Sequence, residues 1–196
     1  INDITAKISL KSLFMDEFLI SALEIKTNAI KLNTLIMLGR SFKNSTELFL
    51  LNKFIKSGLL TANIKLKFDV KGKIKDDYKI NGFVENAEFG LLNKFNTEDL
   101  NFEFSISKNK YTLKNVGVKF NNIRLSLPII EVNENNNLFL VSGKVETKEK
   151  DFNANKLNLL SYDLIKYLNI KKIKFNSINQ FSFNINKKLK LSNLNI

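Results

Sequence analysis

The 196-residue sequence contains no cysteine, no histidine and no tryptophan, with one proline and seven glycines. Without cysteine the chain has neither a disulfide framework nor thiol chemistry. Without histidine it lacks the commonest general base and metal ligand. The sequence also has no Gly-x-Ser-x-Gly elbow and no glycine-rich phosphate loop. We therefore predict that the chain is not an enzyme and has no metal site and no cofactor.

Paired carboxylates are the remaining candidates for catalysis, and the sequence has three such pairs. They are Asp16-Glu17, Asp76-Asp77 and Glu98-Asp99. Each pair falls in a predicted turn, where we interpret the side chains as solvated. On a strand, neighbouring residues point to opposite faces, which suits acid–base cooperation poorly.

Long apolar runs are missing as well. No apolar run approaches the ~20 residues that span a bilayer, and the best candidate, 14–25, contains Asp16, Glu17 and Glu24. Since the first residue is Ile1, we expect a processed chain or a piece of a longer protein.

The formal net charge of +12 is typical of proteins that bind nucleic acid or anionic lipid. However, the basic residues are spread along the chain and are almost all lysine. The abundance of Lys, Asn, Ile and Phe is typical of an AT-rich genome. We interpret most of the charge as solvated faces and expect no nucleic-acid partner, although a basic nucleic-acid-binding domain stays a third interpretation.

Alternation of apolar and polar residues is the dominant pattern. In "LNFEFSISKNKYTLKNVGVKF" (100–120) it has a period of two, which predicts two half-buried strands. Short polar turn signals separate such segments, and helical crossovers are missing after residue 60, so we predict an antiparallel meander. The predicted strands are 4–10, 18–32 with a turn or bulge near Asn28, 64–70, 78–84, 100–106, 111–120, 123–127, 129–132, 138–145, 173–175, 181–185 and 189–191.

Helical spacing interrupts this pattern in the N-terminal third. The segments 34–42 and 44–58 predict helices, the second with a capping box at Asn44 and Glu47 and a C-terminal cap at Gly58. A short helix is also predicted at 161–168.

The predicted apolar face is too large to stay in water. About nine strands present on the order of 800 Å² on one face, whereas a monomer typically exposes an apolar patch of ~300–600 Å². Three arrangements would cover this face: a sandwich or barrel, a second copy of the chain, or a trough that holds hydrocarbon.

Two parts of the sequence resemble the AsmA-like family (the AsmA/TamB/YhdP group). "AKISLKSLFMDEFLISALEIKTNAIKLNTLI" (6–36) resembles its recurring strand, Ser-Leu-x-x-Leu turn and return strand. The segments 68–89, 100–132 and 138–147 resemble its long β-meander. This resemblance implies two segments, a strand–strand–helix unit at 1–60 and a β-groove at 61–196 that continues beyond the sequence.

The resemblance further implies a mainly β fold with minor α: an elongated antiparallel β-meander curled into an apolar groove, with a short helical insertion near the N-terminal third. Family members are anchored in the inner membrane of Gram-negative bacteria and extend through the periplasm. The expected partners are phospholipid acyl chains, the membrane through an anchor outside this sequence, and envelope proteins. The residues expected to line the lipid groove are Ile64, Leu66, Phe68, Val70, Leu100, Phe102, Phe104, Ile106, Val116, Val118, Phe120, Phe181, Phe183 and Ile185.

The resemblance therefore implies a non-enzymatic periplasmic protein that binds phospholipid and conducts it between the inner and outer membranes. The alternative is a β-sandwich binding or interaction module without lipid, in which the same apolar residues form an ordinary core.

Overall fold

The computed structural model describes residues 1–9, 20–42, 49, 52–91, 95–120, 123–135, 138–153, 172–186 and 190–196. These residues form eleven strands and one long helix. In chain order, the elements are β1 (Asp3–Ile8), β2 (Ile20–Lys26), β3 (Ile30–Lys31), α1 (Leu32–Phe42), β4 (Ile55–Lys67), β5 (Lys79–Leu91), β6 (Phe95–Ser107), β7 (Lys110–Phe120), β8 (Ile123–Asn135), β9 (Leu138–Asn153), β10 (Lys172–Asn186) and β11 (Leu191–Asn195). Residues 49 and 52–54 are helical as well.

All described strands belong to one antiparallel sheet in the order β1-β2-β4-β5-β6-β7-β8-β9-β10-β11, with β3 beside β4. Each strand from β4 onward pairs with its neighbour in sequence, because hairpins join strands directly whereas parallel pairing requires long crossovers. Among the described residues, the outer strands β1 and β11 do not pair with each other. The sheet is an open meander that curls into an apolar groove, which confirms the predicted fold class. The strands of the described residues form one sheet, whereas a sandwich would have two packed sheets.

Thr27 joins β2 and β3 to the same neighbouring strand. Its N–H donates to the Ala62 carbonyl over 2.9 Å, and its hydroxyl accepts from the Ala62 N–H over 2.9 Å. The side chain of Thr27 is buried. A buried N–H without a partner is costly, so this hydroxyl replaces the missing strand partner between β2 and β3.

A line of irregular positions crosses the sheet from β4 to β8. Gly58 in β4, Asn86 in β5, Asp99 in β6 and Asn115 in β7 all have positive φ, from 50° to 133°. The pairing register shifts beside each of them, and β8 shifts against β9 between Ser126 and Ile130. Bulges bend the strands that carry them. Because the bulges lie side by side on neighbouring strands, they bend the sheet along one line that runs across the strands from β4 to β8.

The core of the described residues is small. Leu32 and Ile36 of α1 pack on Ile55, Val84 and Ala87 of the sheet, and side chains of β6 pack against the edge of this cluster, so among the described residues the core lies over β4, β5 and β6. Among the described residues, no large side chain is fully buried. The chain exposes 14201 Å² of surface, compared with roughly 9,500 Å² expected for a compact monomer of its mass.

Several predicted elements differ from the structure. Helix 34–42 is confirmed within α1, but the predicted helix 44–58 is wrong beyond residue 54, since Ile55 and Gly58 lie in β4. The proposed cap at Asn44 and Glu47 and the predicted helix at 161–168 lie outside the described residues. The strand predicted at 64–70 ends at Lys67.

Other strands are longer than predicted, because bulges interrupt the alternation within a continuous strand. The predicted strands 123–127 and 129–132 form one strand, β8, although Pro128 separates them in sequence. Pro128 lies in an interior strand, at the point between Ser126 and Ile130 where the register of β8 shifts against β9. A proline is tolerated at such a bulge because its missing N–H is not needed for strand pairing. The strand β4 runs across residue 60, and the division into segments 1–60 and 61–196 stays a prediction.

Candidate lipid-binding groove

One apolar row crosses almost the whole sheet. Strand pairing joins residues that face the same side, and nine such residues follow one another from β1 to β10. We call them the Ile80 row: Ile4, Ile25, Ile64, Ile80, Ile106, Tyr111, Val132, Val141 and Phe183. Eight steps of about 4.8 Å make the row roughly 38 Å long. The row defines the apolar face of the sheet.

A second row on the same face contains two glycines beneath aromatic rings. Gly82 pairs with Phe104, and Gly143 pairs with Phe181. A Cβ added at Gly82 would lie 2.7 Å from Cζ of Phe104, and one added at Gly143 would lie 2.7 Å from Cζ of Phe181. Each ring therefore lies over the glycine of the neighbouring strand and occupies the space that a side chain at that position would fill.

Most of the predicted groove residues are brought together on this face. Those that are half-buried there are Ile64, Leu66, Ile106, Val118, Phe181, Phe183 and Ile185. The rings of Phe181 and Phe183 are stacked, with centroids 5.9 Å apart. Half-burial on an open sheet means that these side chains shield one another but still present apolar surface.

A second group of predicted residues belongs to the core. Leu100, Phe102 and Phe104 pack against the cluster around α1, and Val116 is 4% exposed. The Phe102 and Phe104 rings meet edge to face at 6.5 Å. This part of the groove floor is therefore covered by the chain itself.

Three predicted residues lie at the ends of strands. Phe68 follows β4 and makes an isolated bridge with Ile74. Val70 is in the following turn and is 57% exposed, so its assignment to a strand row is wrong. The turn is held by Asp69, whose carboxylate accepts from the N–H groups of Lys71 and Lys73, each over 2.9 Å. Phe120 ends β7 and pairs with Ile123.

The opposite face, which we call the polar face, carries cross-strand ion pairs. Examples are Lys65–Glu24 at 3.3 Å, Lys119–Glu98 at 3.0 Å and Lys110–Glu131 at 2.8 Å. It is not uniformly polar, since Phe83 is 53% exposed there. The two faces nonetheless differ strongly in charge.

Two of the paired carboxylates predicted to be solvated, Asp76 and Asp77, form ion pairs with lysines. Asp76 pairs with Lys108, and Asp77 pairs with Lys67 at 2.5 Å, both in the turn region before β5. Glu98 and Asp99 lie within β6 and not in the predicted turn. Asp16 and Glu17 lie outside the described residues. Within the described part of the chain, no group of three or more potential ligand side chains could hold a metal ion.

We call the edge formed by the turns between β4 and β5 and between β6 and β7 the hairpin rim. Tyr111 lies on the apolar face near this rim. Burial raises the pKa of its phenol, and the nearby Glu134 carboxylate and Tyr78 add to the effect. The neutral phenol is therefore favoured in the folded chain.

Residues that sequence reasoning missed complete the groove. Ile80, Tyr111, Val132 and Val141 lie in predicted strands but were not assigned to the groove. The alternation of apolar and polar residues indicated that each strand has an apolar face. It could not show which residues of neighbouring strands lie side by side, because that depends on strand register. The glycine–phenylalanine pairs could have been suspected only from a glycine inside a predicted strand, which often marks the close approach of another group.

The chain has no match among the known proteins compared: no family model, no curated protein and no solved structure matches it significantly. The resemblance to the AsmA-like family therefore stays a prediction. In the described part of the chain, no helix has the length and apolar character needed to cross a membrane.

Proposed function

We propose that this chain binds the acyl chains of phospholipids along its apolar face and conducts them between the inner and outer membranes of a Gram-negative envelope. In this proposal the protein is periplasmic, is anchored in the inner membrane by a segment outside this sequence, works with envelope proteins and catalyses no reaction. The head group stays at a wet rim while hydrocarbon moves along the groove without entering water.

The observation that supports this proposal is the continuous Ile80 row on an open sheet. Half the hydrocarbon thickness of a bilayer is about 15 Å, so the row is longer than one extended acyl chain. Apolar surface of this extent is costly in water, at about 25 cal/mol per Å². Among the described residues, the core around α1 involves β4, β5 and β6, and in this proposal a hydrocarbon ligand shields the apolar face beyond them.

A nucleic-acid ligand would need lysines and aromatic rings on one surface. Lys65, Lys110 and Lys119 are paired with glutamates on the polar face, whereas the Phe104 and Phe181 rings lie on the apolar face. We therefore prefer lipid as the ligand.

The test is native mass spectrometry of the purified chain after incubation with phospholipid vesicles. Two variants with adjacent substitutions on β10 make a matched pair: Phe183→Asp puts a carboxylate on the apolar face, and Asn184→Asp puts the same group on the polar face. Both positions are half-buried. We expect lipid on the wild-type chain and on Asn184→Asp, and roughly tenfold less on Phe183→Asp, because burying a charge beside hydrocarbon is costly.

Circular dichroism must show equal strand content in both variants. A wild-type chain that takes up no phospholipid would overturn the proposal, and so would Phe183→Asp binding as much lipid as Asn184→Asp.

A further inference from the structure

Three exposed lysines lie close together in the tight turn that follows β4 at the hairpin rim. We call residues 68–75 the lysine turn. Lys71, Lys73 and Lys75 are exposed in it. Among the described residues, none of the three forms an ion pair with a carboxylate. The ammonium groups of this turn are therefore available to an anion from outside the chain.

The backbone of the lysine turn is fixed by its own hydrogen bonds. The Asp69 N–H donates to the Lys73 carbonyl over 2.9 Å, and the Gly72 N–H donates to the Asp69 carbonyl over 3.0 Å. Gly72 has a φ of 79°, a conformation that glycine adopts without strain. Phe68 forms a bridge with Ile74 across the turn. These contacts keep the charged and apolar residues of the turn next to one another.

The carboxylates close to the lysine turn already have partners. Asp69 accepts hydrogen bonds from two backbone N–H groups of the turn. Just beyond the turn, Asp76 pairs with Lys108 and Asp77 pairs with Lys67. The first of these ion pairs joins this region to the turn between β6 and β7. The lysine turn itself thus contains three lysines and one aspartate, and backbone groups hold that aspartate.

Two aliphatic side chains are exposed beside these lysines. Val70 is 57% exposed and Ile74 is 47% exposed, and in sequence they enclose Lys71 and Lys73. A bilayer with anionic lipids matches both kinds of side chain. Its negative surface potential attracts lysines, and its boundary between head groups and acyl chains accepts apolar side chains.

Nucleic acid would match only the charge of this turn. Binding of single strands combines positive charge with exposed aromatic rings on which bases stack. The one aromatic residue of the lysine turn, Phe68, is half-buried, and the exposed apolar side chains there are aliphatic. The composition of the turn therefore favours a membrane surface.

We propose that the lysine turn docks this protein on an anionic bilayer surface, with Val70 and Ile74 at the acyl boundary and the three lysines at the lipid phosphates. This inference goes beyond the proposed function, because docking does not require lipid in the groove. The Ile80 row runs along the same rim, since Ile80 and Tyr111 are the second residues of β5 and β7. Docking would bring that row close to the bilayer.

The first experiment measures binding of the full chain to vesicles by flotation at one fixed salt concentration. Vesicles of phosphatidylcholine alone are compared with vesicles that also contain phosphatidylglycerol. We expect the wild-type chain to bind only the anionic vesicles. The triple variant Lys71→Gln, Lys73→Gln and Lys75→Gln should bind them about tenfold to a hundredfold more weakly.

A second triple variant is the matched control for net charge. It carries Lys7→Gln, Lys26→Gln and Lys31→Gln, which replace three exposed lysines of β1, β2 and β3. This variant has the same net charge as the first, so it should bind anionic vesicles within about threefold of the wild type if the turn is the docking site. Circular dichroism must show the same strand content in both variants.

Insertion of the turn is measured with tryptophan fluorescence, because the sequence contains no tryptophan. Val70→Trp places a single indole in the lysine turn. Ile178→Trp is the control in the middle of β10, where the isoleucine is 63% exposed. Addition of anionic vesicles should move the emission of Val70→Trp to shorter wavelength and leave that of Ile178→Trp unchanged.

Four results would overturn the proposal. Equal loss of vesicle binding in the two triple variants would show that net charge, and not the turn, binds the membrane. Unchanged emission of Val70→Trp on bound vesicles, or equal shifts in both tryptophan variants, would show that the turn does not insert. A wild-type chain that binds generic duplex DNA but not anionic vesicles would assign the lysines to nucleic acid.

Discussion

The side-chain oxygen of Asn101 accepts a hydrogen bond from the backbone N–H of Asn86 over 2.9 Å. The amide nitrogen of the same side chain donates to the Asp99 carbonyl over 2.8 Å. Asn86 and Asp99 are the bulged residues of two neighbouring strands, both with positive φ. One side chain therefore satisfies backbone groups at two adjacent bulges, at the line where the sheet bends.

Replacing Asn101 tests whether this side chain stabilises the bend. We expect Asn101→Leu to lower the free energy of unfolding by about 0.5–1.5 kcal/mol, because one exposed backbone donor and one exposed acceptor exchange the side chain for water. Asn101→Asp keeps the acceptor for Asn86 and should cost less. Urea unfolding followed by circular dichroism measures both values. Equal stability of Asn101→Leu and wild type would contradict the role assigned to Asn101.

The glycines under aromatic rings should not accept a side chain. A Cβ at Gly82 would collide with the Thr61 carbonyl oxygen, and a Cβ at Gly143 would lie 2.9 Å from the Ile129 carbonyl oxygen. We expect Gly82→Ala and Gly143→Ala to lose about 1–3 kcal/mol each in urea unfolding. Gly117→Ala is the matched control, since a Cβ there meets no atom of the described chain within 4 Å. It should keep or raise stability.

Thr27 should be sensitive to loss of its hydroxyl but not of its methyl group. Thr27→Val keeps the shape and leaves the Ala62 N–H without its side-chain acceptor, so we expect a loss of about 1–3 kcal/mol. Thr27→Ser retains the hydroxyl and should lose less. Amide hydrogen exchange at Ala62 gives a local readout: faster exchange is expected in Thr27→Val, and an unchanged rate would refute this account.

The contact between α1 and the sheet can be tested with two neighbouring residues. Ile36 is 6% exposed and packs in the core cluster, whereas Met37 is 64% exposed. Ile36→Ala should cost about 2–4 kcal/mol because it leaves a cavity. Met37→Ala should change stability by less than about 0.5 kcal/mol. Similar losses in the two variants, measured by thermal or urea unfolding, would show that α1 does not pack as described.

The turn after β4 should make stability depend on pH. The N–H groups of Lys73 and Lys71 lower the pKa of Asp69, while desolvation opposes them. A carboxyl whose pKa is lower in the folded chain adds stability above its unfolded value, near pH 4, and this stability is lost as pH falls through the folded value. Urea midpoints of wild type and Asp69→Asn should therefore differ at pH 6 and converge below about pH 3. A difference independent of pH would exclude the charge as its origin.

Local pattern was sufficient for some elements and insufficient for others. The alternation in 100–120 predicted two strands, and β6 and β7 contain them, because a half-buried strand leaves a period of two in the sequence. Helical spacing was misleading in the segment 44–58. It predicted a helix that includes Ile55 and Gly58, but both residues lie in β4. There, pairing with β5 outweighs local helical preference, since tertiary context overrides weak intrinsic propensity.

By itself, the sequence determined that the chain is mainly β, that its strands are antiparallel neighbours, and that most carry an apolar side. These properties follow from side-chain period and loop length, which are local. Only the tertiary structure decided that Ile64, Ile80, Ile106 and Tyr111 lie in one row. Register decides such neighbours, and it is set by pairing and by bulges at Asn86 and its counterparts, where one added residue changes which face a side chain occupies.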